Sequence, residues 1–511
     1  MKVVKMNDIK YFKVVAVAGL FFALCCLPFI AKIAMANKSK IPSPAVSPSE
    51  QETATVTTPD KHLFSQDDFV LMFSGDWEGR LEPCGCAAGM LGGIKRRNEI
   101  LKDVGAARRL LVDIGAFVHS YDAQKDVKFQ IYLTVLQQLG YDVMAVSQNE
   151  LIKFEELGIT SDMHPTLVCA NMSEMLQDTV TAETVFKKTL QAGKNKHAVM
   201  VISLASFDDE GDGSLTSKTE IAAIKEVLDQ NGLSPTKGSN ASSVIVLLPD
   251  SLYLQGETNE VIDQLRDIAA IDLIVCKSPG DEPELVHAYE SDDHKAAVIT
   301  VGRLGKYVAT VSLSPDNGYD MGKMAFKYYP IDDTLPEDKE MAALFDDYVS
   351  WIDDLNLIDD IESMPRIPLA EGLSFVGADK CVGCHEPKIK AHETWKNSRH
   401  GHAFSILKEK KRMLDPECVA CHTTGSKYDT GYRTEDAFKH LENNGCEMCH
   451  GPASKHIANP GDLEVRKQMM IPFMRCSSCH DTENSPKFSQ DFKAYFDKIK
   501  HWDTVDIDKW K

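Results

Sequence analysis

Four short pentads constrain this chain more than anything else in it: "CVGCH" (381–385), "CVACH" (418–422), "CEMCH" (446–450) and "CSSCH" (476–480). At the chain's cysteine and histidine frequencies, chance supplies roughly 0.01 such pentads in 511 residues. The spacing has a chemical reason. Two thiols separated by two residues on a short helical turn can each add to a vinyl group of one porphyrin. The histidine that follows then lies under the ring and supplies a nitrogen to iron. A disulfide framework gives no reason for a histidine after every second cysteine. Zinc sites built from Cys-x-x-Cys pairs fit four trailing histidines poorly. The pattern predicts four covalently attached haem c groups. Their anchors are Cys381, Cys384, Cys418, Cys421, Cys446, Cys449, Cys476 and Cys479, with His385, His422, His450 and His480 as proximal iron ligands.

Apolar side chains are sparse after Gly377, so the core there is expected to be largely porphyrin, held by short helices and loops. Ten histidines follow Cys381, and six lie outside the pentads: His392, His400, His402, His440, His456 and His501. Six spare imidazoles beside four irons exceed the usual background of surface histidines and are candidate sixth ligands.

Charge and the N-terminus bound the setting. The net charge of −20 argues against nucleic-acid binding. Residues 371–511 carry 22 Lys+Arg against 21 Asp+Glu, so the acidic excess lies upstream. Lys2, Lys5, Lys10 and Lys13 precede the apolar run "VVAVAGLFFALCCLPFIA", and "AMA" follows at 34–36. This is a signal-peptide pattern, also long enough for a membrane anchor, with the rest of the chain outside the cytoplasm. Residues 1–36 are therefore read as signal or anchor. The Ser/Pro/Thr-rich stretch 37–66 reads as a flexible linker.

From 67 to 330 short β-branched runs alternate with amphipathic stretches. "FVLMFSGD", "RLLVDIGA", "DVMAVS", "HAVMVISLAS", "SSVIVLLPD" and "IDLIVCKSP" read as buried strands. "GGIKRRNEILKDV", "VKFQIYLTVLQQLG" and "NEVIDQLRDIAA" read as helices between them, giving an α/β domain with covered sheet faces. An acidic helix is expected from 335 to about 361, with Ala342, Phe345, Val349, Ile352 and Leu355 on its apolar stripe, in a segment (331–374) leading to the last domain. Cys169 and Cys276 stand in apolar runs and read as core residues. Cys84 and Cys86, in "LEPCGCAAGMLGG", read as a structural or redox loop, with a strained disulfide or a soft-metal site as the alternatives.

The order "FSGDWEGRL", "GGIKRR", "LLVDIGA", "LGYDVMAVSQNEL" and "LVCANM" resembles the calcineurin-like metallophosphoesterases of the exported 5'-nucleotidase type, over about 67–315. The resemblance implies an α/β sandwich that binds two metals, a pair that can clamp phosphoryl oxygens and generate hydroxide. The chain departs from that ligand set. Asp76 stands, but Glu78 replaces a histidine, Gly115-Ala116 replaces Gly-Asp, and Gln148 and Asn149 stand for Asn and His. "LLPD" and "CKSP" lack the later histidines. Asp76, Asp113, Asn149 and Glu150 are left as a set for one weakly held hard cation, and the domain reads as non-hydrolytic.

The phrases "WKNSRHGHAF", "PECVACHTTG", "GCEMCHGPASKH" and "FKAYFDKIKH" resemble the tetrahaem cytochrome c family that accepts electrons from hydroxylamine oxidoreductase in nitrifiers, over about 375–505. The resemblance implies that His400, His456 and His501 are distal ligands. His402 follows as the fourth candidate, then His392 and His440. It further implies that one haem of the four is high-spin in that family. The chain as a whole is thus expected to be multidomain, an α/β metallophosphoesterase-like sandwich followed by a mostly helical multihaem cytochrome c domain at 375–511. The function expected is electron transfer between redox protein partners in the periplasm or at the cell surface. The alternatives are reduction of a small nitrogen or sulfur oxide at an open haem, and residual phosphoesterase activity.

Overall fold

A computed structural model describes residues 62–501, except 84–88, 119–121, 173–179, 207–216, 234–241, 253–259, 291–294, 361–363 and 390. The signal or anchor, most of the linker, and Cys84 and Cys86 lie outside the described residues.

The strands are β1 (Phe69–Ser74), β2 (Arg109–Asp113), β3 (Val143–Ala145), β4 (Thr166–Val168), β5 (Phe186–Ala192), β6 (Asn195–Ser203), β7 (Ser242–Leu252), β8 (Leu273–Lys277), β9 (Leu285–His287), β10 (Ala297–Thr300), β11 (Tyr307–Leu313) and β12 (Ala325–Pro330). They form two six-stranded sheets, ordered β12-β11-β1-β2-β3-β4 and β5-β6-β7-β8-β10-β9. Strands β1 to β4 run parallel, as do β6, β7, β8 and β10, while β11, β12, β5 and β9 add antiparallel edges.

The strands are continuously apolar because both faces are covered. In β1, Phe69, Leu71 and Phe73 point into the layer between the sheets, where they meet Val201, Ile245 and Val275. Val70 and Met72 point the other way, onto helices. Each face is a period-two set, so a one-residue register slip would exchange the two cores. The outer face of the first sheet is covered by α2 (Ala123–Gln138), α3 (Gln148–Glu156) and α6 (Lys339–Leu355). That of the second is covered by α4 (Ser217–Gln230) and α5 (Glu260–Arg266). The domain is therefore a four-layer α/β sandwich, as expected. Cys169 and Cys276 are buried in it.

Two helices differ from the sequence reading. The first shrinks to α1 (Asn98–Leu101), because Gly92 and Gly93 both hold φ of 102°, outside the helical region. The acidic helix is shorter, α6, capped by Asp338 and stopped by Asn356 in the left-handed conformation at φ 45°. Its buried stripe is Met341, Phe345, Tyr348 and Ile352, with Ala342, Val349 and Leu355 only half-buried at its margin.

After α6 the chain turns to short helices: α7 (Val382–Ile389), α8 (Ala391–Lys396), α9 (Ala403–Glu409), α10 (Pro416–His422), α11 (Cys446–His450), α12 (Ser454–Ala458), α13 (Leu463–Met469) and α14 (Phe492–Asp497). Their apolar core is small, built around Ile358, Phe375, Phe404, Leu407, Val419, Tyr432 and Leu441. A contiguous cluster of seven is small for a segment of this length, in line with a core expected to be filled by something other than side chains.

Candidate functional site

The side chains that stand where the phosphoesterase resemblance implies two metals are bonded chiefly to protein groups. Asp113 ends β2 with its carboxylate committed on both oxygens. Ser74 Oγ and Trp77 Nε1 donate to one at 2.7 and 3.0 Å, and Tyr132 OH and the Gly115 amide to the other at 2.7 and 2.9 Å. Glu150 closes a capping box at the start of α3. It accepts from the Ser147 amide and the Phe117 amide, each at 2.9 Å. Burial pushes Glu150 up to about 7, against those backbone donors. Trp77 is fully buried, with the Arg97 guanidinium 4.2 Å above its ring. Asp76 is 3% exposed and its Oδ1 has no hydrogen-bond partner. Burial raises it to about 6, opposed chiefly by Lys277. Glu78 pairs with Arg303 at 2.7 Å.

The one-cation set of Asp76, Asp113, Asn149 and Glu150 is therefore corrected. Asp113 and Glu150 spend their lone pairs on protein donors, and Lys277 and Arg303 supply the positive charge beside Asp76. Among the described residues no group of three His, Cys, Asp or Glu is arranged to hold a metal ion.

The pentads sit on single helical turns. The second and third occupy α10 and α11 whole. The first spans a 3-10 turn ending at Cys381 and the start of α7, and the fourth opens on the 3-10 turn Cys476–Ser478. None of the eight pentad cysteines is joined in a disulfide in this structure. Local capping fixes these turns. Asp415 caps α10, accepting from the amides of Glu417 and Cys418. Within the third pentad, Glu447 is 1% exposed and reaches out of its own turn. It accepts from the amides of Val376, Gly377 and Ala453 at 3.0, 2.8 and 2.8 Å. Gly377 allows this approach: its φ is 86°, and a Cβ there would lie 2.8 Å from the His440 carbonyl oxygen.

The histidines meet in pairs from distant parts of the sequence. His385 faces His456 with ring centroids 6.2 Å apart, His480 faces His400 at 5.9 Å, and His450 faces His501 at 5.9 Å. These separations suit an iron between the rings. An imidazole nitrogen binds a first-row metal at about 2.0 Å, so two rings on opposite sides of one ion have centroids roughly 6.3 Å apart. Three of the four pentad histidines make a contact through Nδ1. Nδ1 of His422 donates to the Ala403 carbonyl at 2.6 Å and that of His450 to the Met469 carbonyl at 2.8 Å, while that of His480 lies 2.8 Å from Ser485 Oγ. A carbonyl can only accept, so the first two contacts fix the tautomers of His422 and His450 and leave their Nε2 for a metal. His456 Nδ1 is buried without a partner. Burial, then His480 and His422, pushes His400 down to about 4, leaving a neutral ring of the kind that ligates metals.

His402 is exposed on the turn that carries His400, and among the described residues it faces no other histidine ring. His392 lies 5.5 Å from the Trp395 ring, and His440 is exposed against Gly377. A cavity of about 1500 Å³ opens beside the second and fourth pentads, lined by His400, His422 and His480 and walled on the α/β side by Glu78, Arg80 and Gln124. The pentads also neighbour one another. The Cys381 and Cys446 thiols are hydrogen-bonded to each other, as are Cys479 and Cys421, while Cys476 lies near enough to Cys449 to act on its charge. The residues present thus fit haem c groups.

Residues 380–451, holding the first three pentads, match the family model described as cytochrome c554 and c-prime. Cytochrome c-554 of Nitrosomonas europaea is 30% identical over 150 residues, covering 23% of this chain and 63% of the relative's length. Both matches fall on the segment that carries the pentads, and the chain spans 63% of the length of that curated relative. Among solved structures, a 5'-nucleotidase precursor from Thermus thermophilus is similar at 14% identity and a TM-score of 0.42, over 66% of this chain and 68% of that one. A calcineurin-like phosphoesterase from Bacillus subtilis is similar at 16% identity and a TM-score of 0.41, over 56% of this chain and 97% of that one. Residues 380–451 thus carry the expected likeness to a cytochrome of this kind, and the upstream domain has the two-sheet α/β sandwich expected of it.

Proposed function

We propose that this chain is an exported tetrahaem c-type cytochrome that carries electrons between redox protein partners in the periplasm or at the cell surface. Residues 375–511 would bear the haems, and 67–330 would form a non-hydrolytic α/β domain joined to them through 331–374. Residues 1–36 would export or anchor the chain. Each haem, when bound, supplies a one-electron iron couple. The observation that carries the reading is the three facing histidine pairs. Bis-histidine ligation favours outer-sphere electron transfer, because the metal has no vacant position for a substrate.

On this reading each distal ligand serves a haem attached elsewhere in the chain: His456 that of the first pentad, His501 that of the third and His400 that of the fourth, a reading the facing rings support. The thiol neighbours suggest the order first, third, fourth, second along the electron path. His422 is the proximal ligand of the second haem, and His402 is kept as its candidate distal ligand. EPR of the oxidised protein tests this. Low-spin signals from at least three haems are expected. A dominant high-spin spectrum would refute the ligation, and a high-spin signal from one haem in four would favour catalysis at an open iron.

A further inference from the structure

Helix α10, which carries the second pentad, is gripped by the α/β domain through buried polar side chains. Asp415, at its N-cap, is 3% exposed. From its own segment, Arg412 donates to Asp415 Oδ2 through Nε at 3.1 Å and Nη2 at 2.5 Å. From α2, Gln124 Nε2 donates to Asp415 Oδ1 at 2.8 Å and to Tyr348 OH at 2.8 Å. From α6, Tyr348 OH donates to Asp415 Oδ2 at 3.3 Å. Lys128, one turn along α2 and 3% exposed, pairs with Glu417 at 2.7 Å.

The charges form a quartet. Arg412, Asp415 and Glu417 on the haem side sum to −1, and Lys128 brings the sum to zero. A buried lysine is expensive to desolvate and is rarely placed without a charge to answer. Asp415 stands seven residues before His422, ~10 Å of helical rise. At that range, a unit charge in an environment of effective dielectric near 20 changes a one-electron equilibrium ~10-fold.

We propose that the α/β domain sets the reduction potential of the haem carried by Cys418, Cys421 and His422, with Lys128, Gln124 and Tyr348 acting as positioning residues through Asp415 and Glu417. This rests on the haem reading given above. It gives the α/β domain a role that needs neither hydrolysis nor metal. Oxidised iron carries one more positive charge than reduced iron. Negative charge near α10 therefore favours the oxidised form, and positive charge favours the reduced form.

The test is a spectroscopic redox titration of the full holoprotein and of D415N and K128M variants. Haem content by mass and melting temperature are measured on the same samples. In D415N one component of four should become easier to reduce, by ~10-fold in its reduced-to-oxidised ratio at fixed poise, equivalent to about 59 mV. In K128M the same component should move the opposite way by a similar factor, while the other three stay in place. A purely structural lesion would move both variants in one direction or disturb several haems together. Either result, or no shift in either variant, overturns the proposal. K128M, altering a lysine whose partner is partly exposed, provides the decisive sign if D415N does not fold. Absence of covalent haem in the parent protein would instead sink the haem reading itself.

Discussion

Glu447 is the side chain whose loss should cost the haem-bearing part most. It sits inside the third pentad, yet its carboxylate accepts from Val376 and Gly377, which lead into the first pentad, and from Ala453, which leads into α12 and His456. One buried side chain thus ties the supports of the His385–His456 and His450–His501 pairs. Hydrogen bonds to a charged group contribute roughly 1.5–3 kcal/mol each, and a buried amide left without a partner costs about 1–3 kcal/mol. Three amides lose their acceptor in Glu447→Ala, and they compete for one carboxylate, so simple addition overstates the effect. We expect ~3–5 kcal/mol of destabilisation, with Glu447→Gln losing about 1.5–2 kcal/mol because one acceptor oxygen remains. Guanidinium denaturation of the holoprotein, followed by the haem spectrum, measures both. The reasoning fails if Glu447→Ala leaves the midpoint unchanged, or if Glu447→Gln is the worse variant.

Three other outcomes are expected. Burial raises Asp76 to about 6 and Glu150 and Asp272 to about 7. These folded values exceed the unfolded ones, so the associated stability is complete below about pH 4, and is lost as pH rises through 6 to 7, on the order of 3 kcal/mol per group. Calorimetry should therefore give a higher melting temperature at pH 5 than at pH 7.5, and the reverse order would contradict the assignment. Trp77→Ala should destabilise the α/β domain by about 3–5 kcal/mol, since the ring is fully buried and packs edge-on against Tyr132 at 5.4 Å; a change below 1 kcal/mol in denaturant unfolding would show that the site collapses around the gap. Phosphatase assays with added Mn²⁺ should stay at background, because Asp113 and Glu150 are taken up by protein donors, and robust turnover would overturn that account.

The sequence was most informative where chemistry fixes spacing. The pentads singled out His385, His450 and His480, each of which faces another histidine ring in the fold, and the continuous apolar runs marked the strands, because strands covered on both faces cannot hide their composition. The pairing of the histidines was not readable. His400 and His480 are eighty residues apart, and nothing local says that their rings face one another at 5.9 Å. The loss of metal ligands at Gly115-Ala116 and Gln148-Asn149 was visible, but its replacement was not. Trp77 in "GDWEGR" looks like an ordinary aromatic, and only the fold shows its ring stacked under Arg97 and its indole bonded to Asp113. Tyr348 was missed on the acidic helix because a stripe drawn through Ala342, Val349 and Leu355 is rotated from the true one. A phenol at the stripe's centre, next to a buried polar network, was the signal available.

The central claim is that four haems are covalently held on four pentads. Mass spectrometry of peptides cut from the full-length holoprotein tests it most directly. Each of the peptides containing Cys381 and Cys384, Cys418 and Cys421, Cys446 and Cys449, and Cys476 and Cys479 should carry the added mass of one haem. Free or alkylatable thiols at all four pentads in protein matured by a haem-attaching host would contradict it.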